Sequence, residues 1–297
     1  MKSVPFIGAG TALITPFTES GAVDFPALDR LIDRQLQAGI SALIMLGTTG
    51  EPSTLTIDEQ DEILRRARRR VNNSAALVAG VGGNNTAHCV ERCKRVRDLG
   101  ADAALAVTPY YNKTSPSGLE AHFTAIADAA DLPVIVYNVP GRTGLNLTPD
   151  TMDTLADNPV IVGLKEASSN IEQIVDLFAR VHDRVAIYSG SDDQNLVYLA
   201  LGGEGVISVL SNLAPAAVSR LCRECLSGDL AAARGTARTL HPLAKALFWE
   251  TSPIPLKAAM SHAGLCGDTV RLPLVKMRAD LRERLLALMD GGGAGMV

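Results

Sequence analysis

The sequence predicts an α/β fold, a (β/α)8 TIM barrel with a C-terminal helical appendage. Eight short runs rich in apolar residues alternate with helical patterns, and successive runs begin 20 to 35 positions apart. That spacing accommodates one strand and its crossover helix. Most runs are continuously apolar, as expected of parallel strands buried on both faces. Closure of eight βα units leaves no unpaired strand edge, so a barrel is favoured over a doubly wound open sheet.

The eight predicted strands are, in chain order, 11–15, 40–46, 75–81, 103–108, 132–137, 160–165, 185–188 and 205–209. Between them, apolar residues recur three and four positions apart, as in 28–36 and 170–181, which is typical of amphipathic helices. An open sheet would carry a glycine fingerprint after its first strand. Gly8 and Gly10 precede the first predicted strand instead, so the match is weak.

Strand signals end after Gly228, where the appendage is predicted to begin. The ranges 231–248, 255–263 and 273–289 have helical patterns. We therefore predict a catalytic barrel over residues 1–228 and a helical region over 229–297. The glycine-rich tail 291–295 has nothing to pack against and is predicted to fray.

Composition and charge exclude several classes of protein. Hydrophobic residues make up 47% and charged residues 20%, and 28 basic side chains face 32 acidic ones, giving a net charge of −4. No basic surplus exists for a nucleic-acid partner. No apolar run approaches the ~18 to 20 residues that cross a membrane. Prolines and glycines interrupt the apolar residues 1–17, which favours a buried first strand over a signal peptide.

The five cysteines are odd in number and too few for a disulfide scaffold, so a cytoplasmic location is expected. Cys222 and Cys225 could form half of a zinc site, but no second pair exists and buried reduced thiols are favoured. All five histidines lie in predicted helices or at helix ends, so no metal site is expected. No phosphate-binding GxxxxGK loop is present. The sequence therefore predicts neither a metal nor a cofactor.

Lys165 is the sharpest functional signal, because active sites of such barrels lie at the C-terminal ends of the strands. It is the only one of seven lysines at the end of a predicted strand. Desolvation there favours the neutral amine, which can form a Schiff base with a ketone. An ion pair with Glu166 is the alternative. Tyr110, Tyr111 and Tyr137, three of only five tyrosines, also follow predicted strands.

Other polar residues at strand ends have structural alternatives. Thr48 and Thr49 could cap the helix that begins near Thr56, and Arg142 could be a solvated loop charge. The pair at 192–193, both aspartates, is expected to cap a helix N-terminus.

Three motifs in this order resemble those of the dihydrodipicolinate synthase and N-acetylneuraminate lyase family of Schiff-base (β/α)8 enzymes. They are GTTGE at 47–51, YNxPxR at 137–142 and GxKE at 163–166, each at the end of a predicted strand. The resemblance extends from Gly8 to about Leu274.

The resemblance implies a catalytic role for four residues. Lys165 would form the imine with pyruvate, and Tyr137 would donate and accept the proton beside it. Thr48 and Tyr111 would form a hydroxyl relay to solvent. Imine formation, enamine formation and loss of water each move a proton, so such a relay is chemically plausible.

Four further residues would bind the substrates. Thr49 would hold the pyruvate carboxylate, Arg142 the carboxylate of the second substrate, and Gly190 and Ile207 would line the pyruvate pocket. Within the family, Tyr110-Tyr111-Asn112 and Arg142 resemble the branch that condenses pyruvate with L-aspartate 4-semialdehyde in lysine and diaminopimelate biosynthesis. A sister aldolase acting on a 2-keto-3-deoxy sugar acid or sialic acid is the alternative, and a non-catalytic keto-acid sensor is a further one.

The resemblance also implies an assembly and a form of regulation. Tyr111 would reach the site of a neighbouring subunit, so we expect a homo-oligomer, and the usual tetramer of the family is a dimer of dimers. Lysine-inhibited relatives have a glutamate at the position of His88, and some have histidines at those of Ile57 and Gln60. Weak or absent inhibition by lysine is therefore expected.

Overall fold

The computed structural model describes residues 2–293, and within them eight parallel strands close into a barrel in sequence order. The strands are β1 (Gly8–Ala12), β2 (Ala42–Met45), β3 (Ala76–Gly80), β4 (Ala103–Val107), β5 (Val134–Asn138), β6 (Ile161–Glu166), β7 (Ala186–Ser189) and β8 (Gly205–Ser208). β1 pairs with both β2 and β8. The predicted (β/α)8 barrel with C-terminal helices is confirmed.

Helices cover the outside of the barrel. They are α1 (Phe25–Gln37), α2 (Ile57–Val71), α3 (Thr86–Asp98), α4 (Pro116–Ala130), α5 (Pro140–Thr143), α6 (Pro149–Leu155), α7 (Ile171–Val181), α8 (Asn195–Ala200), α9 (Pro215–Leu226), α10 (Leu230–Ala246), α11 (Ile254–His262) and α12 (Ala279–Leu288). α2 begins with a capping box, in which the Glu59 amide donates to Thr56 Oγ1 and the Thr56 amide donates to Glu59 Oε2. The alternative that Thr48 and Thr49 cap this helix is therefore wrong.

The period of two along each strand separates the barrel interior from the helix-facing side. Ile135 and Tyr137 of β5 face inward, and Tyr137 is paired in register with Lys165, which is paired in turn with Tyr188. Three adjacent strands thus bring two phenols and one amine into the interior.

The N-terminal end of the barrel is closed by Phe6, which packs on Tyr188 inside the barrel. The ring of Phe6 stacks on Tyr188 with 4.4 Å between centroids. The Tyr188 hydroxyl donates to the Phe6 carbonyl at 2.8 Å and accepts from the Phe6 amide at 3.3 Å. Because this end is closed, the other end is the entrance to the barrel interior.

The first strand lies three residues earlier than predicted, so the prediction of 11–15 is wrong. Gly8 and Gly10 are part of β1 and do not precede it. A Cβ on Gly10 would lie 2.8 Å from Ile44 Cδ1 and 2.9 Å from Phe6 Cζ. A side chain at this position would displace Ile44 or Phe6. Because glycine has no side chain, Gly8 and Gly10 do not extend the apolar run that predicts the strand.

The helix predicted over 273–289 begins only at Ala279. The segment before Ala279 is anchored at Arg271. The guanidinium of Arg271 binds the carboxylate of Glu59 and the carbonyls of Gly21 and Thr54. These partners are distant in sequence and leave no local signal.

The C-terminal helices pack against the barrel. Apolar residues of α9 and α10 belong to one buried cluster, so the division at residue 228 stays a prediction. Positions 294–297, which include part of the tail predicted to fray, lie outside the described residues. Within residues 2–293, the helices are too short or too polar to span a membrane.

Candidate active site

Lys165 lies near the end of β6 with its side chain inside the barrel, where it is 6% exposed. Its Nζ is 4.1 Å from the centroid of the Tyr137 ring. Burial disfavours the ammonium form and lowers the pKa of Lys165 from 10.5 to about 7; the negative charge of Asp192 opposes this shift, and Arg142 reinforces it. A large fraction of the amine is therefore neutral and nucleophilic near neutral pH.

Glu166 points to the opposite side of β6. Its Oε2 accepts from Asn138 Nδ2 at 2.9 Å and from Gln173 Nε2 at 3.4 Å. Burial raises the pKa of Glu166, and these hydrogen bonds oppose the rise. The alternative of a Lys165–Glu166 ion pair is wrong, because neighbouring residues of a strand face opposite ways.

A cavity of about 280 Å³ opens above Lys165. Six of the eight predicted site residues line it, namely Lys165, Tyr137, Thr48, Thr49, Arg142 and Gly190. Ile207 is buried in the inner cluster that also contains Tyr137, outside the cavity wall. Tyr111 is 90% exposed with a φ of 69° and does not line the cavity. The structure thus assembles six of the eight residues within one chain.

Gly190 follows β7 and leaves room for the lysine. A Cβ at this position would lie 3.0 Å from Lys165 Cε and 2.9 Å from the Cβ of Ala167. Such contacts are closer than side chains normally make, so any larger residue would push against the lysine.

Arg142 lies in the short helix α5, directly after β5. Its Nη2 donates to the Ser252 carbonyl at 3.1 Å, and its side chain lines the cavity. The guanidinium is thus held in place and is not the free loop charge of the alternative interpretation. The other N–H groups of this guanidinium can donate to a carboxylate in the cavity.

The capping role predicted for the aspartate pair is wrong for Asp192. Its Oδ2 accepts from the amides of Val209 and Leu210 at 2.9 and 2.8 Å, and its Oδ1 accepts from Ser208 and Asn195. It therefore fixes the turn after β8 and does not begin its own helix. Three of the four donors lie at 208–210, at and after the end of β8, and are too distant in sequence to be predicted, while Asn195 is local.

The turn that carries Thr48 and Thr49 is anchored by a buried ion pair that the sequence did not reveal. Oε1 of Glu51 lies 2.5 Å from Lys257 Nζ, and these side chains are 2% and 0% exposed. Lys257 also donates to the Thr269 carbonyl, and its Nζ lies 4.0 Å from the centroid of the Phe17 ring. Burial lowers the pKa of Lys257, and Glu51 opposes this shift.

A signal for this pair existed. Glu51 closes the GTTGE motif, and Lys257 is flanked on both sides by apolar residues of α11. Lys257 does not lie at the end of a predicted strand, so its pairing with Glu51 is not predicted.

A second cavity of about 490 Å³ shares Thr48 and Tyr137 with the first. Gln60, Tyr110 and Arg92 also line it. Thr48 and Tyr137 therefore contact both cavities.

The cysteines and histidines do not form a metal site among the described residues: within 2–293, no three His, Cys, Asp or Glu side chains are arranged to hold an ion. Cys222 and Cys225 are free thiols buried on α9, and burial raises the pKa of Cys222 to about 12.

Comparison with known proteins gives one consistent result. The Dihydrodipicolinate synthetase family matches residues 5–290. The 4-hydroxy-tetrahydrodipicolinate synthase of an Exiguobacterium species is 46% identical over 285 residues, which cover 96% of this chain and 97% of that protein. The enzyme of the same name from Caldicellulosiruptor bescii is 47% identical over 288 residues, with 97% of each chain covered.

A solved structure agrees. The chloride-inhibited dihydrodipicolinate synthase of Acinetobacter baumannii in complex with pyruvate superposes with a TM-score of 0.95 and is 38% identical. The superposition covers 98% of this chain and 99% of that one.

Replacing Lys257 by Met should lower the free energy of unfolding by about 3–5 kcal/mol, because the Glu51 carboxylate then remains buried without its partner. Urea denaturation followed by circular dichroism measures the change. The control is Lys276→Met, whose partner Asp268 is 2.7 Å away but whose own side chain is 66% exposed. That variant should lose about 1 kcal/mol or less. Equal losses in the two variants would contradict the anchoring role.

Proposed function

The chain belongs to the dihydrodipicolinate synthetase family, and on that premise we propose that it condenses pyruvate with L-aspartate 4-semialdehyde to 4-hydroxy-tetrahydrodipicolinate. The reaction is that of a class I, Schiff-base lyase in lysine and diaminopimelate biosynthesis. The observation that carries the proposal is the buried amine of Lys165, with a pKa of about 7, in a cavity that also contains Tyr137 and Arg142.

The first half of the reaction uses the neutral amine of Lys165. Its lone pair attacks the C2 carbonyl of pyruvate, and the carbinolamine loses water to leave a protonated imine. The imine withdraws electrons from C3, which releases a proton and becomes the nucleophilic carbon of an enamine. That carbon attacks the aldehyde carbon of the second substrate, whose oxygen takes up a proton. The amino group of that substrate, once deprotonated, then attacks the imine carbon, which closes the ring and displaces the amine of Lys165, so the product leaves and the enzyme is regenerated.

Tyr137 is the proposed proton donor and acceptor for these steps. Burial raises the pKa of Tyr137 to about 12, and the positive charge of Arg142 opposes this shift. The phenol is therefore protonated at neutral pH and can donate. We propose that Thr48 passes the proton onward, with Tyr111 completing the relay.

Four residues are proposed to bind substrate. Thr49 is 6% exposed on the cavity wall, where its hydroxyl can hold the pyruvate carboxylate. Gly190 leaves space for pyruvate beside the lysine, and Ile207, buried in the same inner cluster as Tyr137, is proposed to line the pyruvate pocket. Arg142 binds the carboxylate of the aldehyde substrate. The amine of Lys165 itself activates the ketone, so we propose that the reaction needs no metal and no cofactor.

Turnover with a panel of substrates tests this proposal. The purified protein should consume pyruvate only with L-aspartate 4-semialdehyde, and should cleave neither 2-keto-3-deoxy sugar acids nor sialic acid. Arg142→Met should raise the KM for the aldehyde about tenfold or more, since a charged hydrogen bond is lost, and change the KM for pyruvate little. Lys165→Ala should be inactive.

Two outcomes would contradict the proposal. Faster cleavage of a sugar acid would identify a sister aldolase. Binding of pyruvate without turnover of any substrate would identify a keto-acid sensor.

We propose that the chain forms a homotetramer, a dimer of dimers. Tyr111 is 90% exposed and does not reach the relay of its own chain. The 490 Å³ cavity beside Thr48 has room for a phenol from a second copy. Ile171 and Val175, one turn apart on α7, are each 49% exposed and offer an apolar face for a further interface.

Mixing two inactive variants tests the shared site. Tyr111→Phe subunits combined with Lys165→Ala subunits should recover part of the activity, because some hybrid sites receive both intact residues. Native mass spectrometry of the mixture confirms that subunits have exchanged. Exchange without recovered activity would contradict a relay completed by a neighbouring subunit.

We propose weak or absent inhibition by L-lysine. Arg92 is the only charged residue among the described lining of the second cavity. His88 lies on α3 and has no carboxylate to offer, and Ile57 is 58% exposed without a hydrogen-bonding side chain. The ammonium of a bound lysine would therefore lack a partner to offset its lost hydration.

We also propose a cytoplasmic location, with no nucleic-acid or membrane partner. The support is the net charge of −4 and the presence of all five cysteines as free thiols.

A further inference from the structure

One wall of the active-site cavity comes from the C-terminal helices. Lys245 of α10 lines the cavity, and its Nζ lies 3.3 Å from Oδ2 of Asp193, which follows β7 and lines the same cavity. The two side chains are 58% and 31% exposed. A partly exposed pair of this kind gains little net free energy, so an incoming ligand can open it.

Of the acidic side chains that line the cavity, Asp193 is the one that can accept further hydrogen bonds. Two acids, Asp192 and Asp193, stand among the described residues that line the cavity. Asp192 already accepts four hydrogen bonds from the turn after β8 and from Asn195. In the described part of the chain, the Asp193 carboxylate accepts from Lys245 alone. Asp193 can therefore receive a second cation or exchange one cation for another.

The second substrate of the proposed reaction is an amino acid and carries two charges besides its aldehyde. Arg142 supplies the partner for its α-carboxylate. The α-ammonium also loses hydration on entering the cavity and needs an acceptor, preferably an anion. Asp193 meets this requirement, since Asp192 is already saturated.

We infer that Asp193 binds the α-ammonium of the aldehyde substrate and exchanges Lys245 for it. The exchange replaces one cation by another, so the local net charge is unchanged. Arg142 and Asp193 together then recognise the zwitterionic end of an amino-acid aldehyde. An aldehyde without the amino group would meet an intact Asp193–Lys245 pair and gain nothing from it. This inference rests on the proposed function.

Steady-state kinetics of Asp193→Asn test the inference. The KM for L-aspartate 4-semialdehyde should rise about tenfold or more, because a charge-assisted hydrogen bond is lost, while the KM for pyruvate stays within twofold. Succinic semialdehyde, which lacks the amino group, serves as a competitive probe. Its inhibition constant should be the same for the wild type and the variant.

Three further variants separate recognition from a structural effect. Asp193→Glu keeps the charge and should recover most of the affinity for the aldehyde. Lys245→Met removes the competing cation and should leave the KM for the aldehyde unchanged or lower. Asp183→Asn, in which a fully exposed acid outside the cavity is neutralised, should behave as the wild type.

The possible outcomes can be told apart. An unchanged KM for the aldehyde in Asp193→Asn, or an equal loss of affinity for succinic semialdehyde, would overturn the inference alone. A raised KM in Lys245→Met would show that Lys245 is the anchor instead and would also overturn it. Failure of the wild-type enzyme to turn over L-aspartate 4-semialdehyde would overturn the proposed function and this inference with it.

Discussion

The burial of one amine, that of Lys165, is the constraint on which the site depends. A buried ammonium is costly, so the interior shifts the lysine toward its neutral form, which is the form that attacks a ketone. The stacked Phe6 and Tyr188 close the far end of the barrel. Gly190 brings the backbone close to the lysine without a side chain. The stacked rings close one end of the barrel, and Gly190 leaves room for a small substrate beside the amine.

The chemistry also needs hydrogen-bond donors in fixed positions around the amine. These donors lie on loops that are held in place by residues far away in the sequence. The turn with Thr48 and Thr49 is held through Glu51 and Lys257, which joins it to the C-terminal helices. This C-terminal region thus forms part of the wall of the cavity around Lys165. It also contributes Lys245 and the carbonyl of Ser252.

The sequence predicts what is local and periodic. Seven of the eight strands and the position of Lys165 at a strand end follow from apolar runs and their spacing. β1 was misplaced because Gly8 and Gly10 have no side chains to form a pattern. The contacts of Asp192 with residues 208–210, the Glu51–Lys257 pair and the contacts of Arg271 join residues far apart in sequence, so the sequence does not show which residues are paired. The role proposed for Tyr111 requires a second copy of the chain, so it cannot be read from one chain.

The most direct test of the account is the pH dependence of trapping by borohydride in the presence of pyruvate, with peptide mass spectrometry locating the adduct. We expect the reduced adduct on Lys165. Its rate of formation should be low in acid, where the amine is protonated, and rise with pH to a plateau with a midpoint near 7, as the lowered pKa of Lys165 requires. An adduct on Lys245 or Lys257, or a rate that rises only near the ordinary lysine pKa of about 10.4, would contradict it.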